Sequence, residues 1–157
     1  MLHNWFECKI RYEKTMENGM NKKVTEPYLV DALSFTEAEA RIIKEMTPFI
    51  SGEFTVSDIK RACYSELFFS DDPSSDIWFA FRLEFITLDE KTGAEKKTPC
   101  NVLVQASDIR DSFRKLDEGM RGSMADYVIT KASETPIMDV YKYEAEPEGT
   151  PLFNELD

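Results

Sequence analysis

One motif occurs twice in the chain. Trp5-Phe6-Glu7-Cys8-Lys9-Ile10-Arg11-Tyr12 returns 73 residues later as Trp78-Phe79-Ala80-Phe81-Arg82-Leu83-Glu84-Phe85. The correspondence continues through Lys23/Lys96 and Thr25/Thr98. It slips by one residue at Leu29/Leu103, Val30/Val104 and Ala32/Ala106, then returns to the first offset at Phe54/Tyr127, Val56/Ile129 and Phe68/Tyr141. A unit of about 70 residues buries too little surface to be comfortable alone, so two copies are expected to share packing. The 157 residues suit one such domain. A pseudo-symmetric fold with a site at its axis is the expectation.

Phe6, Cys8, Ile10 and Tyr12 alternate with Trp5, Glu7, Lys9, Arg11 and Glu13, as a half-buried strand requires, and Phe79, Phe81, Leu83 and Phe85 repeat the pattern. Asn18-Gly19 and Thr92-Gly93 tolerate positive φ, so each strand is expected to turn back into a second, near Lys22 to Ala32 and Glu95 to Ala106. Ser34 with Glu37 reads as a capping box, and Asp108 with Asp111 takes the equivalent places. Phe35, Ile42 and Met46, matched by Ile109, Leu116 and Met120, mark helices that lie on a sheet. Phe54 to Phe69 and Tyr127 to Tyr143 read as long or bent strands, with Pro136 at an edge or bulge.

The expected fold is therefore α+β: tandem duplicated strand-strand-helix-strand units forming a curved, mainly antiparallel sheet with two helices on one face. Residues 1–143 are expected to form a single pseudo-symmetric domain, with repeat one over about 4–69 and repeat two over about 77–143. The polar turn Ser70 to Asp76 joins them. Residues 144–157, rich in Glu, Pro and Gly, read as an acidic flexible tail.

Nineteen basic and thirty acidic residues give a net charge of −11, and five of the acids lie in the last fourteen residues without a base. The body still carries 19 bases against 25 acids, which is unfavourable for binding a polyanion. No apolar run approaches the roughly 20 residues of a membrane helix, and Met-Leu-His-Asn-Trp lacks the features of a secretory signal. A cytoplasmic protein with no membrane partner is expected. Cys8, Cys63 and Cys100 are odd in number and widely spaced, which fits buried free thiols better than a disulfide framework or paired metal ligands.

Catalytic chemistry is short of parts. His3 is the only histidine, and no nucleophile elbow, Walker loop, GxGxxG or HExxH is present. Asp71, Asp72 and Asp76 cluster in the linker, and Asp89-Glu90-Lys91 resembles a nuclease fragment, but both sit in turns, where charge runs are usually solvated. No catalytic residue, metal site or cofactor is assigned, and the expectation is a non-enzymatic binding protein.

The faces of the first strands that alternate with the core are the candidate surface. Trp5 and Trp78 recur there with Lys9 and Arg82, the hairpin bases Lys23 and Lys96 recur nearby, and Arg11 adds charge. Single-stranded nucleic acid is the leading ligand: Lys9, Arg11, Lys23, Arg82 and Lys96 would contact phosphates while Trp5 and Trp78 stack bases. Against this, a tryptophan more often closes a core than reads a base. Leu152 and Phe153 stand as apolar anchors in the acidic tail and are expected to dock a protein partner. The alternatives are a small-ligand or nucleotide-binding adaptor with its pocket between the repeats, and an acidic phage or host inhibitor of a basic protein.

Trp5-Phe6-Glu7-Cys8-Lys9, Tyr28-Leu29-Val30-Asp31-Ala32, Phe35-Thr36-Glu37-Ala38-Glu39-Ala40 and Met138-Asp139-Val140-Tyr141 together resemble an uncharacterised domain-of-unknown-function family of Bacteroidota and their phages, the 4494 family. The resemblance spans nearly all of residues 4 to 143. It implies a bacterial or phage cytoplasmic setting and brings no catalytic residues with it.

Overall fold

A computed structural model describes residues 4–123 and 125–143. Strands β1 (Trp5–Thr15) and β2 (Asn21–Asp31) form the first hairpin, followed by helix α1 (Phe35–Met46), β3 (Phe54–Ala62) and the short β4 (Glu66–Phe68). The same order recurs as β5 (Ile77–Leu88), β6 (Glu95–Ala106), α2 (Ile109–Met120), β7 (Asp126–Glu134) and β8 (Asp139–Tyr141). Gly19 and Gly93 turn the two hairpins at φ of +82° and +72°, where a side chain would be strained.

Each helix begins as its local sequence requires. Ser34 Oγ accepts from Glu37 N at 3.1 Å, and Glu37 reaches back to Leu33 N at 2.7 Å. Asp108 and Asp111 repeat the device, with Asp111 accepting from both the amide and the hydroxyl of Ser107. These contacts satisfy amides that the first helical turn leaves without partners.

The described strands form two four-stranded sheets rather than the single curved sheet expected, in the orders β3-β1-β2-β8 and β4-β6-β5-β7. The segments read as single long strands each divide. β3 runs out of partners where β1 begins, at the Trp5/Ala62 pair. The chain then crosses to the other sheet, and β4 pairs parallel with β6. β7 ends in the same way, and β8 crosses back to pair parallel with β2. Ser65 N donates to Asn101 O at 2.8 Å and Met138 N to Pro27 O at 2.9 Å, fixing both crossings. Pro136, which cannot donate to a ladder, lies within the second crossing.

Each helix covers its own sheet instead of sharing one face with the other. Phe6, Cys8, Ile10, Val30, Ile42 and Met46 fill the layer under α1, and Phe79, Phe81, Leu83, Val104 and Leu116 fill the layer under α2. A third core joins the sheets: Trp5, Leu29, Trp78, Leu103, Ile137 and Val140. No helix of the described residues is long and apolar enough to cross a membrane.

Candidate functional site

The third core decides the fate of the expected nucleic-acid surface. Trp5 is 5% exposed and Trp78 is 2% exposed, so neither ring offers a face to a base. Both stand at the start of a first strand, on the face that also carries Glu7, Lys9 and Arg11 or Ala80 and Arg82. The two sheets close on each other at that end, and the crossing segments seal the rings with Ile137, Val140, Tyr64 and Leu67. Trp5 and Trp78 are structural and closed to a stacking base, contrary to the expectation from the sequence.

The cationic candidates are dispersed. Lys9 is half-buried, and Arg11, Lys23, Arg82 and Lys96 are exposed. Lys23 lies opposite Glu13, and Lys96 opposite Thr87, five residues along β5 from Arg82. At strand rise that is roughly 17 Å. One continuous strip of these residues does not form. The linker and hairpin acids are committed to turns: Asp72 Oδ1 accepts from the amide and hydroxyl of Ser74, and Asp89 Oδ1 accepts from Lys91 N and Thr92 N. Leu152, Phe153 and His3 lie outside the described residues.

Beyond the tryptophans the sheets diverge and leave a cleft of about 400 Å³. The first sheet lines it with Glu7 and Lys60, the second with Arg82, Asn101, Lys131 and Ser133, and the crossing segment with Cys63 and Tyr64. Its volume falls in the range of small-molecule pockets, roughly 300–1,000 Å³. Lys131, Arg82 and Asn101 occupy one row across β7, β5 and β6, because Arg82 pairs in register with both of the others. A β-bulge follows Arg82, and Thr130 Oγ1 donates to Arg82 O at 3.1 Å. Among the described residues, Lys60, Arg82 and Lys131 make no salt bridge.

The matching place in the first sheet is built the same way with opposite electrostatics. Lys9 pairs in register with Asp58, a bulge follows, and Ser57 Oγ donates to Lys9 O at 3.3 Å. Asp58 is replaced by a cation, Lys131, in the second sheet. Arg82 is the one expected site residue that lines the cleft. Lys60, Lys131, Glu7, Tyr64 and Asn101 escaped the sequence reading, although the reversal of charge between Asp58 and Lys131 is visible once the repeats are aligned. Burial, and then the charge of Glu7, raises the pKa of Tyr64, so its hydroxyl stays protonated and able to donate.

Residues 4–143 match the family described as Domain of unknown function (DUF4494). The chain belongs to DUF4494. Every residue of the cleft falls within the matched span, whereas Leu152 and Phe153 fall outside it. No curated protein matches the chain.

Proposed function

We propose that this DUF4494 protein is a non-catalytic binding module whose inter-sheet cleft takes a small phosphate-bearing ligand. The reading rests on the Arg82/Lys131 pair. Like charges directly opposite on neighbouring strands are unfavourable, by about 0.2–1 kcal/mol. The same pair becomes favourable when an oxyanion lies between them, because a guanidinium fork and an ammonium group both form charge-assisted bonds to phosphate oxygens. Lys60 approaches the cleft from the facing sheet, and Asn101, Ser133 and Tyr64 add neutral donors. The bacterial or phage cytoplasm, rich in phosphorylated metabolites, is the proposed setting. Single-stranded nucleic acid is the weaker reading, since both tryptophans are buried and a net charge of −11 opposes a polyanion.

Isothermal titration of inorganic phosphate into the full chain at low ionic strength tests this. Saturable binding is expected, weakened at least about tenfold in Arg82→Gln and in Lys131→Gln, as the loss of one charge-assisted bond predicts. Lys9→Gln is the control and leaves affinity unchanged. Phosphate binding indifferent to Arg82 and Lys131 would remove the cleft from the function. Tight capture of a fluorescent single-stranded oligonucleotide, without phosphate binding, would favour the nucleic-acid reading instead.

A further inference from the structure

The cleft contains one acid among its cations, and the acid restricts what can be bound beside the phosphate. Glu7 is half-buried on β1 and pairs in register with Lys60 on β3. Among the described residues it makes no salt bridge. The corresponding place in the second sheet is Ala80, which lines the same cleft with only a methyl group. The site is therefore divided. The second sheet supplies Arg82, Lys131 and Asn101, which stabilise negative charge, while the first supplies Glu7 with Lys60 opposite it, a pair that adds no net positive charge and places the one carboxylate of the cleft there.

A ligand group that meets Glu7 has to donate a hydrogen bond, because an ionised carboxylate only accepts. Tyr64, whose hydroxyl stays protonated beside the Glu7 charge, brings a donor to the same region. An acceptor and a donor side by side suit a hydroxyl group, which is both. The cleft of about 400 Å³ is also far larger than a free phosphate needs. From this division we infer that the ligand is a phosphate monoester of a polyhydroxylated small molecule, with its phosphate on Arg82 and Lys131 and its hydroxyls on Glu7 and Tyr64. This inference rests on the cleft being the phosphate site proposed above.

The experiment compares ribose 5-phosphate with inorganic phosphate by calorimetry on the full chain. Ribose 5-phosphate is expected to bind at least about tenfold more tightly, the advantage that hydrogen bonds to a charged group provide. Glu7→Gln is expected to cut that advantage to about threefold or less, with phosphate alone binding somewhat more tightly because a repelling charge is gone. Glu7→Asp, which keeps the charge but withdraws it, should fall between the two and guards against a misfolded Gln variant. Equal affinity of the wild-type chain for the two probes overturns the polyol assignment and leaves the phosphate site standing. An advantage that persists in Glu7→Gln also overturns it. Failure of both probes to bind overturns the phosphate site and this inference together.

Discussion

The halves of the molecule share a scaffold and differ at two places where charge matters. At the bulges, Lys9 faces Asp58 in the first sheet, whereas Arg82 faces Lys131 in the second. The first sets opposite charges in register, and the second sets like charges in register and leaves positive charge for something else to neutralise. At the helices, Arg41 on α1 and Lys115 on α2 each hold the strand that arrives from the other half. Arg41 bonds the carbonyl of Asp31 and, at 3.3 Å, that of Lys142 just past β8. Lys115 donates to Ser70 at 2.6 Å and Ser75 at 2.7 Å, and lies 3.4 Å from Asp111. One half fastens the crossing through main-chain carbonyls and the other through side chains, so the same task tolerates different chemistry. Equivalent positions with equivalent tasks keep their character; where the charge pattern changes, as at Asp58 and Lys131, a difference in role is the economical reading.

The severest test of the shared scaffold is the tryptophan pair. Trp5→Ala and Trp78→Ala should each lose about 3–5 kcal/mol in urea denaturation, the usual result of emptying a large buried aromatic site. A small loss for one and a large loss for the other would show that the joint core is lopsided. Next, Lys115→Met should lose about 1–3 kcal/mol by removing the ammonium that donates to Ser75 and Ser70, although Ser70 keeps the Asp72 amide and the Ser75 hydroxyl as donors. Arg41→Met should lose less, because the exposed Lys142 carbonyl can turn to water and only the bond to the buried Asp31 is lost from the interior. Lys131→Asp sharpens the comparison in the opposite direction: it recreates the first-half charge pair, so thermal melting should rise slightly, by about 0.2–1 kcal/mol of stability, while phosphate binding disappears. A fall in melting temperature would mean that Lys131 has a structural partner.

The gentlest probe is pH. The Ser107 amide, then Arg114 and the Ser107 hydroxyl, hold Asp111 down to about 2 from an unfolded value near 3.8. A depressed carboxylate stabilises the fold above its unfolded pKa and loses that contribution as pH falls toward its folded one. Melting temperature should therefore drop between pH 4 and 2, and Asp111→Asn should flatten that segment of the profile.

Much of this architecture is legible locally. The alternation of Phe6, Cys8 and Ile10 reports a strand covered on one side, and Ser34 and Asp108 announce helix starts through side chains that bond amides three residues away. The division into two sheets is not legible, because β4 and β8 are three-residue strands whose partners lie in the other half. Nothing within Glu66–Phe68 distinguishes a continuation of β3 from a departure. The tryptophans were misread for a related reason. Trp5 shares a face with Glu7, Lys9 and Arg11, and Trp78 shares one with Ala80 and Arg82, and a period of two cannot reveal that such a face is closed at one end and open at the other. Lys60 and Lys131 sit among ordinary strand residues, and only tertiary structure brings them within reach of Arg82.

The reciprocal crossing has a consequence for how the protein is made. On a ribosome the first sheet cannot be finished until residues 139–141 emerge, because its last strand is encoded near the far end of the chain. Such long-range closure is slow, and it leaves the β2 edge open to other chains in the interval. Nascent chains halted before residue 139 would expose both that edge and the apolar layer that Val140 covers, which makes premature termination more hazardous for this protein than for one whose halves close in order.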